Sequence, residues 1–371
     1  MILHIANDYN YTKVHRQLYE NLDDLNIKQK IFIPFRNKSQ IGNNHFNFNV
    51  KESEYVYSSK INILHRIIFP FKTYRLLKSL ESSINIDEIK LIHATTLFSD
   101  GVLAYKLNKK FNIPYVVAVR NTDINFYFNK RKELIPLGIK ILTNASKIIF
   151  ISEANRIDFI NKPQIKQELD SILNKIVVIN NGIDEFWLKN INPYKPSYSY
   201  NFLFIGRFDK NKNVERLIDA LQEIRKYKNL PIFLRLVGGK GSNHKEVLDK
   251  ITSLNWIEYI GEVYNKEELL KIFNESDYFS LVSHFETFGL VYIEALSQGK
   301  PILYTKGQGI DGMFNFKFGE ASESKKTENI VYSIENLLKN NYSEINQIDF
   351  NQFNWKDIAI KYVNLYNEIL K

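Results

Sequence analysis

Short, unbroken runs of aliphatic residues separated by stretches of helix length constrain this chain more than any other feature. MILHIA (1–6), KQKIFIPF (28–35), IKLIHAT (89–95), PYVVAVR (114–120), SKIIFIS (146–152) and KIVVINNG (175–182) read as strands in the first half. The rhythm restarts at YNFLFIGR (200–207) and runs through FLRLVGG (233–239), WIEYIG (256–261), DYFSLVS (277–283) and PILYT (301–305). Runs without polar alternation suit strands covered on both faces, and helical patterns between them imply parallel β-α-β units. Helices are expected over 14–22, 101–111 and 214–227, with an Asn-rich loop over 37–50. The tail is amphipathic at helical spacing, through Trp355, Ile358, Ala359, Tyr362, Leu365, Tyr366 and Ile369, and reads as a terminal helix.

The class that follows is α/β, with two copies of one architecture. A chain of 371 residues fits two domains of roughly 150–200 each. The expected division is 1–190, 191–350 and a terminal segment 351–371. The Pro- and Tyr-bearing INPYKPSYSY (191–200) is the expected linker.

Composition removes several chemistries. With no cysteine, there is no disulfide framework, thiolate zinc site or cysteine nucleophile. The seven histidines show no metal-ligand spacing such as H-E-x-x-H. MILHIANDYN meets Asp8 too early for a signal peptide, and no apolar run approaches the roughly 20 residues that span a bilayer. The default expectation is a cytoplasmic protein. The net charge of +9 lies wholly in residues 1–190, where 27 Lys and Arg face 18 Asp and Glu. A basic half invites an anionic partner, whether nucleic acid, an acidic membrane surface or a phosphorylated acceptor; the plainer alternative is a solvated basic surface.

The strongest motif is HFETFGLVYIEALSQGKPIL (284–303). Glu286 and Glu294 are separated by seven residues, and Thr287, Phe288, Gly289 and Leu290 fall where a strand gives way to a helix. Backbone N–H groups at a helix start, with its dipole, suit a diphosphate, and Gly289 lets backbone approach it. Two carboxylates around a phosphate make sense if they accept hydrogen bonds from hydroxyls, a sugar on one side and a ribose on the other. The second motif is FIGRFDKNKNVERLIDAL (204–221), where Gly206, Arg207, Lys210 and Lys212 lie between a strand and a helix. Cations at the carboxyl end of a parallel strand suit a diphosphate leaving group. LVGGKG with Gly238, YIGEV with Gly261 and Val263, and VINNGID (178–184) are weaker, each alone more often a plain turn. Together they put glycine or charge at the ends of successive strands, where open α/β sheets bind ligands.

On these residues the chain resembles glycosyltransferase family 4, the retaining glycosyl transferases group 1 of the GT-B fold. The E-x7-E segment, the Gly206, Arg207 and Lys212 constellation, the N-G-I-D turn at 181–184 and the Phe353, Trp355 and Tyr366 tail carry the resemblance over most of 90–371. It implies two Rossmann-like domains facing a central cleft, with the C-terminal helix crossing back to the N-terminal domain. It further implies that Arg207 and Lys212 bind the donor diphosphate, Glu286 contacts the transferred sugar, backbone at Phe288 to Leu290 holds phosphate, and Glu294 the ribose. The resemblance also places the acceptor in the N-terminal domain and implies no metal and no cofactor, consistent with the absence of any D-x-D.

Two departures stand out. Where many members have His-Gly-x-Asp, this chain has Arg120, Asn121, Thr122 and Asp123; Arg120 cannot switch between donor and acceptor as histidine does, but can stabilise phosphate charge or a hydroxyl. After the first strand, Asn7 to Lys13 carries no glycine. Arg120 joins Glu286, Arg207 and Lys212 as a catalytic candidate, and Asn121, Asp123 and Lys13 are the candidates on the acceptor side. Lys60, Arg66, Lys72, Arg75 and Lys78, mixed with large apolar groups over 60–80, could rest on an anionic membrane face near lipid-linked acceptors, or form the solvated side of a packed hairpin that Pro70 interrupts.

The expected function is therefore transfer of a hexose from a UDP- or GDP-sugar to a glycan or lipid-linked acceptor, in surface polysaccharide or glycoconjugate synthesis. A sugar-nucleotide epimerase of the same architecture is the alternative. A nucleic-acid binder using the basic half is weaker for want of a recognition motif, and a dinucleotide oxidoreductase for want of a G-x-G-x-x-G after any strand.

Overall fold

The computed structural model describes residues 1–62, 68–197 and 199–371, which form two compact units. Residues 1–151, 155–182 and 355–371 make the first; residues 152–154 and 183–354 make the second.

The first unit holds seven strands: β1 (Ile2–Ile5), β2 (Gln29–Ile33), β3 (Glu54–Tyr57), β4 (Leu91–Ala94), β5 (Tyr115–Ala118), β6 (Lys147–Phe150) and β7 (Ile176–Val178). They form one parallel sheet in the order β3-β2-β1-β4-β5-β6-β7. Successive side chains of a strand point to opposite faces, and both faces are covered, which is why the strands read as continuous apolar runs. Leu3, Ile5, Ile92 and Val117 face a core shared with α2 (Phe69–Ser83), α3 (Gly101–Phe111) and α4 (Ile135–Asn144). Ile2, Leu91, Val116 and Ile149 face α1 (Lys13–Asp24) and α11 (Trp355–Leu370). α11 contributes Trp355, Ile358, Tyr362, Leu365 and Tyr366 to that second core.

Histidine is buried on the α1/α11 face. His93 Nδ1 lies 2.8 Å from the Tyr366 hydroxyl, and the His93 ring stacks on Tyr362. Burial pushes His93 and His15 down to about 3 and His4 well below its usual range, so all three are neutral.

The second unit has β8 (Asn201–Arg207), β9 (Phe233–Gly239), β10 (Ile257–Gly261), β11 (Tyr278–Ser280), β12 (Ile302–Thr305) and β13 (Gly319–Ser322), parallel in the order β10-β9-β8-β11-β12-β13. Its helices are α5 (Glu185–Lys189), α6 (Val214–Tyr227), α7 (His244–Ile251), α8 (Lys266–Asn274), α9 (Leu290–Ser297) and α10 (Thr327–Lys339).

The chain passes to the second unit at Ile183 rather than along 191–200. Polar side chains strap that stretch to the second unit: Asn192 Nδ2 donates to Gln298 at 2.7 Å, Tyr194 N to Asn346 at 2.7 Å, and Ser197 Oγ to Asp277 at 2.6 Å. Pro70 opens α2 instead of interrupting a hairpin, because the first turn of a helix does not use its N–H groups. Arg66 falls outside the described residues. Lys72 is buried, so it is no part of a solvated basic side.

Candidate active site

In the second unit the loops after β8, β11 and β12 hold the two motifs together. Asn213, in the left-handed conformation at φ 57°, ends the turn of Lys210–Lys212 and begins α6. Its Nδ2 donates to the Val282 carbonyl at 3.1 Å and the Ser324 carbonyl at 2.9 Å. One residue pair on, the two loops are laced: His284 N donates to Asn211 O at 2.8 Å, Phe285 N to Asn211 Oδ1 at 3.0 Å, and Asn211 Nδ2 to Phe285 O at 2.9 Å. These bonds fix where the side chains of Lys212 and Glu286 meet.

Lys212 Nζ lies 2.8 Å from Glu286 Oε2. The same oxygen accepts from Ser283 Oγ at 3.3 Å, and Oε1 accepts from the Thr287 N–H at 3.2 Å. The Glu286 backbone is clamped in turn: its N–H donates to Gln308 Oε1 at 3.2 Å, and its carbonyl accepts from Gly309 N at 3.1 Å. Gly309 is at φ 56°, and a Cβ there would stand 3.0 Å from the Phe288 carbonyl oxygen and 3.1 Å from Glu286 Cγ. Gln308 and Gly309 lie in the loop after β12 and carry no motif of their own, so sequence reasoning passed over them.

Gly289 caps α9 at φ 77° and offers no side chain to its N–H groups. A Cβ there would collide with the Tyr292 ring at 2.3 Å. Leu290 is the first helical residue, Phe288 is buried beneath the turn, and Thr287 bridges to Glu286. The uncapped start of α9 thus lies beside the Lys212–Glu286 pair, where backbone N–H and an ammonium can take an anion together.

Arg207 ends β8; its side chain is 71% exposed, with Asp209 Oδ2 at 3.4 Å from its Nε, and it makes no bond to Glu286. Gly206 and Gly238 sit opposite each other across β8 and β9. Gly261 ends β10, and Val263 follows in the loop before α8. Glu294 lies just past the first turn of α9, nearer than two turns along. Its neighbours come from the N-G-I-D turn and the elements around it: Trp187 of α5 hydrogen-bonds it, and Asp184 and Lys266 flank it. Burial, then the Asp184 charge, push its carboxyl up to about 7. Asp184 itself pairs with Lys266 and caps Phe186 N–H at 3.0 Å.

The first unit has a cavity of about 380 Å³ at the carboxyl ends of β1, β2, β4 and β5. Strand order reverses between β1 and β4, so the cavity lies where open parallel sheets take ligands. Asp123 lines it, but its fully buried carboxylate is already engaged by the N–H groups of Leu97, Phe98 and Arg120 at 3.0, 3.2 and 2.9 Å. Burial pushes it up to about 6 despite those bonds. Arg120 Nε donates to the Thr95 carbonyl at 3.1 Å, and Asn121 accepts from Asn125 at 2.6 Å. Lys13 is exposed at the start of α1 and does not line the cavity. Arg36, Lys72 and Arg131 do, and the sequence reading named none of them for this place.

Among the described residues no three His, Asp or Glu are grouped to hold a metal ion, and no helix is long and apolar enough to cross a membrane.

Residues 190–352 match the model of the family described as glycosyl transferases group 1. An uncharacterized glycosyltransferase of Methanocaldococcus jannaschii is 26% identical over 82% of this chain and 81% of its own length. The N,N'-diacetylbacillosaminyl-diphospho-undecaprenol alpha-1,3-N-acetylgalactosaminyltransferase of Campylobacter jejuni is 23% identical over 81% of this chain and 82% of its own. Anabaena HepE, solved with UDP and glucose, shares the fold at a TM-score of 0.66 and 18% identity, with 99% of each chain covered.

Proposed function

With the chain a glycosyltransferase whose second unit carries the group 1 domain, we propose that it transfers a hexose, with retention, from a UDP- or GDP-sugar to a glycan or lipid-linked acceptor in surface polysaccharide or glycoconjugate synthesis. The observation that carries this reading is the Lys212–Glu286 pair beside the uncapped start of α9. The UDP in HepE and the diphospho-undecaprenol in the Campylobacter enzyme's name support the donor and acceptor classes.

As the glycosidic bond breaks, negative charge grows on the leaving nucleoside diphosphate and the sugar becomes oxocarbenium-like. Lys212 and the first N–H groups of α9 take up the phosphate charge in place, with no reorganisation at the moment of reaction. Arg207, exposed at the end of β8 beside Asp209, adds a second cation. Glu286, held by Ser283, Thr287 and Lys212, accepts hydroxyls of the transferred sugar, and Glu294 accepts those of the ribose. Cationic side chains and amides do the work that a metal ion does elsewhere, so the reaction proceeds without metal.

The acceptor enters at the first unit, and that unit rests on an anionic membrane face. Ile68, Phe71 and Tyr74 are exposed along α2, with Arg75 and Lys78 on the same exposed side, a mixture of aromatic and basic groups suited to a headgroup layer.

The test is incubation with UDP-, GDP- and ADP-sugars, following nucleoside diphosphate release and the anomeric form of the product. One sugar nucleotide is consumed only with acceptor present, and its anomeric configuration is kept. Epimerised donor in the absence of acceptor would overturn the reading.

A further inference from the structure

The second unit has a cavity of about 240 Å³ at the amino ends of β8, β11 and β12, the opposite end of the sheet from Lys212 and Glu286. Its walls come from the stretch before β8, the end of α8, the turn into β11 and the turn after α9. Gly299 lets the first of these close in, since a Cβ there would stand 2.6 Å from the Pro193 carbonyl oxygen. Gln298 is buried with both ends of its amide spent: Nε2 donates to the Asn190 carbonyl at 2.9 Å, and Oε1 accepts from Asn192 Nδ2 at 2.7 Å. These bonds fix the walls before any ligand arrives.

Two ammonium groups line the cavity, Lys300 partly buried and Lys195 exposed. Among the described residues neither has a hydrogen-bond or ion-pair partner. Burial pushes the Lys300 ammonium down, and the charge of Asp277 only partly opposes this. Asp277 is the one carboxylate lining the cavity, and it already accepts from Ser197 Oγ at 2.6 Å and the Asn201 N–H at 2.9 Å. The carboxyl end of α9 does not complete the ammonium's shell either. Its carbonyls at Glu294, Ala295 and Leu296 take the N–H groups of Gln298, Gly299 and Lys300. A desolvated cation without an acceptor is costly, and an anion in the cavity would offset that cost.

The neighbouring amides are suited to hydroxyls. Asn192 Nδ2 also donates to Asn274 Oδ1 at 3.1 Å, so Asn192 Oδ1 can still accept and Asn274 Nδ2 can still donate.

We infer that this cavity is a second anion site, taking the phosphate of a small hydroxylated monoester on Lys300 and Lys195 and its hydroxyls on Asn192 and Asn274. A ligand here stands at the wrong end of the sheet to be the sugar donor, so the inference does not rest on the transferase reading.

The test is calorimetric titration of the full chain with glycerol 3-phosphate at low salt, repeated in a Lys212→Ala background that removes the donor-side cation. Binding is expected to survive Lys212→Ala and to weaken roughly tenfold in each of Lys195→Gln and Lys300→Gln, the loss of one charge-assisted hydrogen bond. Lys195 is exposed, so its variant reads binding even where Lys300→Gln costs stability. No binding at millimolar concentration, or affinity unchanged in the Lys195→Gln/Lys300→Gln double variant, would overturn the site. UDP affinity is expected to be unchanged in that double variant, and a parallel loss would overturn the separation from the donor site. The hydroxyl contacts are read against inorganic phosphate. Glycerol 3-phosphate is expected to bind several-fold more tightly, with Asn274→Ala narrowing the margin. Equal affinity for the two anions in the wild type would overturn the ester.

Discussion

Lys212 Nζ and Glu286 Oε2 lie 2.8 Å apart although they stand 74 positions apart in the chain, each aimed by its own loop. The pair is partly shielded, with the Glu286 side chain 12% exposed, so neither charge is fully relaxed by water. Lys212→Ala is expected to lower kcat/KM by about 10²–10³, roughly 2–4 kcal/mol of transition-state stabilisation. Steady-state rates with the preferred sugar nucleotide check this, and unchanged turnover would remove Lys212 from the chemistry. Glu286→Ala should abolish transfer yet leave UDP affinity within a few-fold, since it frees the ammonium for phosphate.

Gly309→Ala probes the clamp without touching a charge. A left-handed residue other than glycine costs about 1–2 kcal/mol, and the new methyl would press on Glu286 Cγ. We expect a small loss in denaturant midpoint and a fall in kcat of at least about tenfold. A stability loss with full activity would show that the position of Glu286 is not critical.

If Glu294 holds the ribose as proposed, nucleotide binding depends on pH. Its carboxyl is raised to about 7 in the unbound protein, and the ionised form is the stronger acceptor for the ribose hydroxyls proposed to reach it. UDP affinity should therefore rise with pH up to about 7 and level off above it, and Glu294→Gln should be weaker and flat. Calorimetry from acid to mildly alkaline pH decides; a flat wild-type profile would separate Glu294 from the ribose.

The His93–Tyr366 bond is a stability element of the first unit. Tyr366→Phe leaves a buried imidazole nitrogen without its partner, at a cost of about 1–3 kcal/mol. The folded His93 is held at about 3, below the roughly 6.5 of an unfolded chain. Its contribution is thus complete above about 6.5 and is lost as pH falls from there toward 3. His93→Leu should flatten the acid limb of the stability profile by about 1.4 kcal/mol per pH unit between about pH 6 and 4, measured by urea unfolding.

Added chelator should leave transfer unchanged, because side-chain cations and amides are assigned the phosphate charge. A rate lost to EDTA and restored by a divalent ion would reassign it.

The parallel sheets were legible because Ile2–Ile5 and Tyr115–Ala118 are apolar on both faces, which only doubly covered strands need to be. β3 and β13 escaped for the opposite reason. Both are edge strands, and Glu54–Tyr57 and Gly319–Ser322 carry too few apolar groups to form a run. The two motifs of the second unit could be read as one site, since each sits where a strand gives way to a helix. That Glu294 belongs with Trp187 and Asp184 could not, because only the packing of α9 brings that turn to it. The cations of the first unit's cavity were equally hidden: no motif marks Arg36 or Arg131, Lys72 reads as one of a basic run, and only the packing of α2 on the strand ends gathers the three.

The last helix belongs to the unit that opens the chain. During synthesis the second unit is whole once Asn354 has emerged, whereas the first waits with one face of its sheet covered only by α1 until Tyr366 clears the ribosome. A chain cut short before Trp355 would thus lose the order of its beginning rather than of its end, and a nascent chain would be most exposed to aggregation in the segment made earliest.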